Sequence, residues 1–417
     1  MEKILAMKIL QVNVVSDFGS TGRTVIEMAK VMGNDGHEMF IAHGHGESSC
    51  DNSYKIGGVI ENHLHNIGAR ITGKHGYGSK KGTLGLIKYI KDIQPDIIHL
   101  RTLHMYYINI ELFFSFLSKY GKPVVWTLHD CWAYTGRCPH YTLIQCEKWK
   151  TKCSAPCPKA NSYPASLFFD KTEEMFLDKK KWFTSIDKLQ LVTVSHWLQS
   201  QVELSFFSGK PIQTIHNWID HETFKPYKVC QQEYDDYLIP SNRKLVISVA
   251  GSWKGSKLED ALSLAKLLPK DCYLVLVGHM FPKVKIPCNI INIPYVNDVN
   301  KLASLYNMAG VYIHFSLEDT FGKVIAEAMS CGLPVLGYNL TAVPEIIGYD
   351  YKCGTTVSPR DIFQLHLELL KILENGKEHY SHNSRARVLK LFDMKKNIAM
   401  YERLYVKLYN ESIKSAC

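Results

Sequence analysis

The chain has 417 residues, of which 46% are hydrophobic, 21% charged and 11% aromatic. This composition excludes a disordered or fibrous protein, and at about 150 residues per domain the length predicts two or three globular domains. The 49 basic and 40 acidic residues give a formal net charge of +9. An excess of this size suits a phosphate-bearing ligand, a nucleic acid or an anionic membrane surface, and the charge alone does not choose among them.

The first half of the chain has the pattern of a parallel α/β domain. An apolar run at 8–15 predicts a buried strand, the turn-rich residues 16–22 predict a loop, and a helical pattern follows at 24–32. The alternation continues, with strands at 38–42, 97–100, 124–128 and 189–194 and helices at 83–93 and 108–120. It predicts a doubly wound parallel sheet.

The pattern starts again after a polar stretch that ends near residue 242. We expect a strand at 244–250, a glycine loop at 251–255, a helix at 258–268 and a strand at 273–277, and then two further helices at 299–309 and 322–329 with strands at 311–315 and 334–337. The predicted domains are 1–225, with an insert at about 131–188, and 226–393, followed by a helix at 394–417 that packs back on the first domain. Because open α/β sheets bind ligands at the carboxyl ends of their strands, we expect the domains to face each other across a cleft.

The segment 315–335 is the most informative part of the sequence. A strand ends there, and a helix is predicted to start near residue 321 with Asp319 or Thr320 as its cap. A helical rise of about 1.5 Å per residue puts Asp319 and Glu327 roughly 12 Å apart, beyond the roughly 5–9.5 Å of a glycosidase pair. This separation suits a long ligand such as a nucleotide sugar. The backbone N–H groups predicted to bind its phosphate or sugar oxygens belong to Thr320, Phe321 and Gly322.

This segment resembles the donor-site signature of the family 4 glycosyltransferases, which have the GT-B fold of two facing Rossmann-like domains. The signature is written Glu-x7-Glu followed by Glu-Ala-x3-Gly-x-Pro-Val, and the bacterial exopolysaccharide and colanic-acid-type enzymes resemble this chain most. Two positions depart from it. Asp319 stands at the first acidic position, beside Glu318, and the usual Arg-x4-Lys pair is Ser252-x4-Lys257.

The resemblance implies a role for each matching position. Glu327 would hold the nucleotide ribose, Asp319 would lie near the donor sugar, and Lys257 would hold the diphosphate. His129 would face the acceptor and the transferred sugar. The other donor positions are Ser252, Gly278, Gly19 and Gly22, and the other acceptor or secondary positions are Asp130, His99, His104 and Glu345.

The residues themselves leave structural alternatives open. Glu327 could solvate one face of a helix, Lys257 could be an exposed first-turn lysine, and the segment Gly19–Gly22 could be an ordinary tight turn. His129 could be a strand-end histidine bonded to the backbone.

The resemblance implies a retaining transferase that moves a sugar from a UDP- or GDP-linked donor to a glycan or polyprenyl-linked acceptor in surface polysaccharide synthesis. No Asp-x-Asp sequence occurs, so we expect no metal or other cofactor in catalysis. An epimerase or phosphorylase with the same two-domain plan is the enzymatic alternative. A basic nucleic-acid-binding protein is the alternative from another class, but the sequence has no nucleic-acid motif and we expect no such partner.

The insert contains two unusual groups. Cys138, Cys146, Cys153 and Cys157 could bind a structural zinc ion, form disulfides or remain free thiols. Basic and aromatic residues alternate at 148–183, which suits either an anionic membrane surface or an ordinary solvated helix. We expect a cytoplasmic protein, with peripheral attachment to the inner face of the membrane as the further possibility.

Overall fold

A computed structural model describes residues 6–281 and 285–414 of the chain. It forms two compact units. The first runs up to Ile215 and includes the residues from Lys395 onward, and the second is His216–Met394.

The first unit is built on a seven-stranded parallel sheet with strand order β3-β2-β1-β4-β5-β6-β7. Between β5 and β6, three short 3-10 turns precede a helix and form the insert. The elements are β1 (Lys8–Val15), α1 (Gly19–Asn34), β2 (Glu38–His45), β3 (Ser53–Lys55), α2 (Val59–Thr72), α3 (Lys80–Ile93), β4 (Ile97–Leu100), α4 (Ile110–Tyr120), β5 (Val124–Leu128), α5 (Thr172–Thr184), β6 (Leu189–Thr193), α6 (His196–Glu203) and β7 (Ile212–Thr214).

The second unit repeats the plan with a six-stranded parallel sheet of order β10-β9-β8-β11-β12-β13. Its elements are α7 (Gln231–Asp236), β8 (Lys244–Trp253), α8 (Gly255–Ala265), β9 (Cys272–Met280), β10 (Ile290–Ile293), α9 (Val299–Met308), β11 (Val311–His314), α10 (Lys323–Ser330), β12 (Val335–Tyr338), α11 (Val343–Ile347), β13 (Gly354–Val357), α12 (Ile362–Asn375) and α13 (Lys377–Leu391). The last helix, α14 (Met394–Lys414), lies almost entirely in the first unit.

Burial explains why these runs form central strands. Every residue of β4, β5, β6, β11 and β12 is buried, as expected for parallel strands covered on both faces. The two predicted parallel α/β domains are thus confirmed.

The division between the units lies ten residues before the boundary expected from the polar stretch. Residues 216–225 are bound to the second unit because Arg385 donates hydrogen bonds to the carbonyl oxygens of His221 (2.8 Å) and Phe224 (2.6 Å). The His221 ring also lies 2.7 Å from Asp393. The polarity of the sequence marks an exposed connection, whereas these side-chain bonds decide which unit it joins.

Helix α14 is attached to the first sheet by a buried polar network. The Tyr401 hydroxyl lies 2.9 Å from Thr127 Oγ1, and the Tyr405 hydroxyl lies 2.7 Å from His99 Nδ1. His99 Nε2 lies 2.8 Å from the same Thr127 oxygen. No helix within residues 6–281 and 285–414 combines the length and apolarity needed to cross a bilayer.

Candidate functional site

The carboxyl end of β11 positions the first acidic candidate. His314 is the last residue of the strand, and its Nε2 lies 2.8 Å from Asp319 Oδ2. The His314 side chain is almost fully buried and the Asp319 side chain is one-third exposed. A buried ring therefore fixes a carboxylate that remains open to solvent. His314 ends an otherwise apolar strand, and nothing in the sequence indicated that it would contact Asp319.

The start of α10 differs from the prediction. The helix begins at Lys323, with Gly322 as its N-cap at φ +76° and without a side-chain cap. Asp319 and Thr320 therefore do not cap it, because the left-handed Gly322 separates them from the first turn. Phe321 is buried, with its ring 5.2 Å from that of Phe392. The backbone N–H groups of Thr320, Phe321 and Gly322, which were predicted at the helix start, thus precede the helix. The predicted separation of roughly 12 Å between Asp319 and Glu327 assumed a continuous helix and does not apply.

Glu327 lies in the middle of α10 and is completely buried. It is flanked by buried Ala326 and Ala328. The alternative in which Glu327 merely solvates a helix face is therefore wrong. An acidic group is expensive to bury unless it is paired or hydrogen-bonded, so its place in an apolar helix indicates a specific requirement.

The predicted glycine loop at 251–255 is mostly strand. β8 continues to Trp253, and Ser252 pairs with His279 of the neighbouring β9 after a register shift. Only Lys254 separates the strand from α8, in whose first turn Lys257 lies. Lys257 is half-buried and Lys254 exposed. Lys257 thus stands near a helix N-terminus, where both its charge and the helix dipole favour an anion.

Gly278 lies inside β9 rather than after it. It has φ +134°, and a Cβ atom there would lie 1.9 Å from the carbonyl oxygen of Ala250. Close contact between β8 and β9 therefore explains the glycine without any ligand.

Gly19 and Gly22 are in the first turn of α1 and do not form the predicted loop. Gly19 has φ +68°, and Gly22 packs so closely on the end of β1 that a Cβ atom would lie 3.1 Å from Ser16 O. The connection is shortened to residues 16–18, so a helix N-terminus follows the strand directly.

Glu345 belongs to α11 and pairs with a residue that the sequence did not indicate. Its Oε1 lies 2.7 Å from His216 Nε2. Its backbone carbonyl accepts a 2.7 Å hydrogen bond from Arg387. These contacts lie entirely within the second unit.

In the first unit, His129 and Asp130 directly follow β5, and His104 follows β4, which is the neighbouring strand. His104 Nε2 lies 2.7 Å from Asp130 Oδ2, and its Nδ1 lies 2.8 Å from the Tyr163 hydroxyl. Burial by itself would raise the pKa of Asp130, but the charge and hydrogen bond of His104 outweigh it and lower that pKa to about 2. Asp130 is thus a carboxylate over the whole physiological range. Tyr163 completes this arrangement and was not predicted.

His99 is a core residue rather than an acceptor contact. It is completely buried between Thr127 and Tyr405, and burial lowers its pKa well below the usual value. The neutral ring serves the attachment of α14.

The basic and aromatic residues of the insert do not form one continuous surface. Trp149, Phe176, Trp182 and Phe183 are buried, whereas Phe168 and Phe169 are exposed. Lys179 is buried over the Trp132 ring, and its ammonium group donates hydrogen bonds to the carbonyl oxygens of Trp132 and Thr135. Lys152 and Lys171 form ion pairs with Glu173 and Glu174. Much of the predicted basic surface is therefore core or locally neutralised.

Comparison with known proteins identifies the family. A sequence profile described as Glycosyl transferases group 1 matches residues 231–388, and one described as Glycosyltransferase Family 4 matches residues 21–223. The colanic acid biosynthesis glycosyl transferase assigned as WcaC in Escherichia coli K12 is 27% identical over 284 residues, which is 65% of this chain. The match spans 66% of that relative, slightly less than two thirds of its length.

Solved structures agree with the fold. Sucrose-phosphate synthase from Thermosynechococcus elongatus superimposes with a TM-score of 0.70 at 14% identity, over 97% of this chain and 100% of that one. Anabaena HepE, solved in complex with UDP, superimposes with a TM-score of 0.64 at 13% identity, over 96% of this chain and 100% of that one. Since the two profile matches together span most of the sequence, the chain belongs to the group 1 and family 4 glycosyltransferases, and its two parallel-sheet domains are those of the GT-B fold.

Proposed function

We propose that this protein transfers a sugar from a nucleoside diphosphate sugar to a glycan or lipid-linked glycan acceptor during synthesis of a bacterial surface polysaccharide. One observation carries the proposal: the β11–α10 segment holds Asp319 against His314 and buries Glu327 within the family's donor signature. The similarity to a colanic acid transferase supports the pathway class, and that to a UDP-binding enzyme supports the donor class.

The donor roles belong to the second unit. Glu327 accepts hydrogen bonds from the ribose hydroxyls, and hydrogen bonds to an ionised carboxylate are the stronger kind. Lys257, at the start of α8, offsets the charge of the diphosphate together with the helix N-terminus. Ser252 offers a hydroxyl where the family has arginine, so the pair Ser252 and Lys257 carries one positive charge fewer than the usual arginine and lysine.

The reaction proceeds with retention in this proposal. The bond from the anomeric carbon to the phosphate oxygen breaks, a bond to the acceptor oxygen forms on the same face, and the acceptor proton passes to the departing phosphate. Asp319 orients the donor sugar, and His129 hydrogen-bonds a sugar hydroxyl. Without an Asp-x-Asp sequence to hold a metal-bound diphosphate, lysine and backbone N–H groups carry the stabilisation of the leaving group.

The acceptor roles belong to the first unit. Asp130, a permanent carboxylate held by His104, suits hydrogen bonding to acceptor hydroxyls. The Tyr163 hydroxyl fixes the other side of the His104 ring. Asp130 and His104 position the acceptor rather than taking its proton, because a carboxylate with a pKa of about 2, such as Asp130, is a weak base.

An exposed apolar ridge on the first unit suits a lipid-linked acceptor and a membrane surface. Ile60, Leu64, Ile67 and Ile71 recur along one face of α2, and the Leu167 N–H donates a 2.8 Å hydrogen bond to Arg70 O at the end of that helix. The exposed side chains of the ridge are Val59, Ile60, Leu64, Ile67, Ile71, Leu167, Phe168 and Phe169. Soluble surfaces seldom expose so many neighbouring apolar groups without a partner.

Transfer is tested by incubating the protein with a panel of UDP- and GDP-sugars and a polyprenyl-diphosphate-linked glycan, with mass spectrometry of the lipid product. We expect an acceptor heavier by one sugar and release of nucleoside diphosphate. Interconversion of the donor sugar without an acceptor would indicate the epimerase. Visible absorbance from pyridoxal phosphate would indicate the phosphorylase.

The ridge is tested separately by flotation with anionic vesicles. The Leu64→Glu/Phe168→Glu variant is expected to remain in the soluble fraction, whereas the matched Leu267→Glu variant, altered at an exposed leucine of the second unit, floats like wild type. Wild-type protein that never floats would contradict membrane docking.

A further inference from the structure

The four cysteines of the insert converge on one very small cavity. Cys138, Cys146, Cys153 and Cys157 all line it, and its volume is about 10 Å³. This is roughly the space that a single water molecule needs. Four cysteines thus line one space that would admit about one water-sized group.

Each cysteine makes its own hydrogen bond within the insert, beginning with the Cys138 carbonyl oxygen, which accepts a 2.6 Å bond from the Thr135 hydroxyl. The Gly136 N–H donates a 3.2 Å hydrogen bond to Cys153 Sγ, and the Cys157 N–H donates one of 2.6 Å to Asp170. Trp149, which is fully buried, donates from its indole N–H to the Cys146 carbonyl oxygen at 2.9 Å. Backbone N–H bonds to a sulfur and a packed shell around it are features that tune and orient metal–thiolate ligands.

The charge around the cavity is complementary to a metal–thiolate centre. Arg137, Lys148 and Lys159 line the same cavity. The Lys148 ammonium group is tied to the following loop by hydrogen bonds to the carbonyl oxygens of Ser154 (3.3 Å) and Pro156 (3.1 Å). Four thiolates around a divalent cation would carry two negative charges, which Lys148 and Lys159 would help to offset, whereas Arg137 already lies 3.8 Å from Asp170.

We propose that Cys138, Cys146, Cys153 and Cys157 bind one structural zinc ion that organises the insert. Zinc takes four thiolates in a tetrahedron at about 2.3 Å. The thiols are free and no three of these four sulfur atoms lie within 4.8 Å of one another, so in this proposal binding draws the side chains together. The four thiols release four protons on binding, and zinc undergoes no redox change.

Burial alone is the simpler explanation, and it accounts for only half of the group. Cys138 and Cys153 are buried like small apolar side chains, but Cys146 and Cys157 are partly exposed. Paired disulfides are the other explanation and would leave no thiol for a metal. The two explanations and the zinc site differ in metal content and thiol count, which can be measured without any assay of transferase activity.

The test is elemental analysis of the full-length protein purified under reducing conditions without added metal. We expect one zinc per chain in wild type, a loss of most of it in Cys153→Ser, and full retention in Cys131→Ser, which alters a buried cysteine outside the group. If Cys153→Ser fails to fold, cobalt replaces zinc in the wild-type protein, and we expect the intense visible bands of tetrahedral cobalt thiolate. Absence of zinc together with failure of cobalt to produce these bands overturns the proposal, as does mass spectrometry showing two disulfides within the group.

Discussion

The Nε2 atom of His314 lies 2.8 Å from the Oδ2 atom of Asp319. The histidine ends a buried strand and the aspartate lies in the turn that follows it, so a rigid element orients a solvent-accessible carboxylate. Glu318, its neighbour in sequence, is also partly exposed. Because His314 orients this carboxylate, we propose Asp319 as the acidic residue at the donor sugar.

Replacement of Asp319 is expected to slow the reaction more than replacement of Glu318. A hydrogen bond involving a charged group is worth about 1.5–3 kcal/mol, which corresponds to roughly a 10- to 100-fold change. We expect Asp319→Asn to lower kcat by this factor and Glu318→Gln to leave it within about twofold. Steady-state kinetics with saturating acceptor measure both. The reverse order would transfer the role to Glu318.

Lys257 is expected to contribute to diphosphate affinity. Lys257→Ala should weaken nucleoside diphosphate binding about 10-fold, and the loss should shrink at high salt because the interaction is electrostatic. Lys254→Ala is the matched control, since that lysine lies three residues earlier and is exposed. Isothermal titration at two salt concentrations distinguishes them. Equal affinities for the two variants would exclude Lys257 from the site.

Gly278 is expected to determine stability rather than binding. The clash with the Ala250 carbonyl and the left-handed φ predict a loss of about 3 kcal/mol or more for Gly278→Ala, which lowers the Tm by roughly 6 °C or more. Gly251→Ala, in the adjacent strand with no atom within 4 Å of the added Cβ, should have little effect. Differential scanning calorimetry compares them. A stable Gly278→Ala protein that has lost nucleotide affinity would instead support the predicted role of Gly278 in donor binding.

Acid is expected to destabilise the first unit from about pH 6.5 downward. Burial lowers the pKa of His65 to about 4 and that of His75 and His99 well below the usual value, and His65 Nε2 accepts N–H bonds from Gly76 and Gly78. Below about pH 6.5 these histidines bind protons in the unfolded chain but not in the folded chain. The free energy of unfolding therefore falls as the pH falls, by up to about 1.4 kcal/mol per pH unit for each histidine.

Urea denaturation at about pH 7 and about pH 5.5 measures this effect. His65→Gln should reduce the pH dependence, whereas His63→Gln, at an exposed position of the same helix, should not. Equal unfolding free energies of the wild type at the two pH values would contradict the assignment of these rings as neutral core residues.

The sequence predicted the central strands well because parallel strands are uniform apolar runs. β1, β4 and β5 have the expected bounds. Short edge strands such as β3 and β7 were missed because they have only three residues and partial burial. The pattern also failed at glycines: Gly19 and Gly278 were assigned to loops, and both lie within regular elements where a left-handed φ or a close backbone contact requires them.

Candidate site residues were predictable where a motif names them, and their partners were not. Glu327 and Asp319 are part of a recognisable signature, but His314 and His216 are not members of that signature. Tyr163 reaches His104 across 59 residues of sequence. Such partners depend on which strand ends lie side by side, which is a property of the sheet order rather than of local sequence.

The most direct test of the donor site is a thermal-shift titration with UDP, GDP and their sugar conjugates, in wild type and Glu327→Gln. A ligand that binds only the folded state raises the Tm by an amount set by its concentration and Kd. We predict that at least one nucleoside diphosphate stabilises the wild type and that Glu327→Gln, equally folded, loses most of this shift. A wild-type protein unaffected by every member of the panel, or an unchanged shift in Glu327→Gln, would contradict the account.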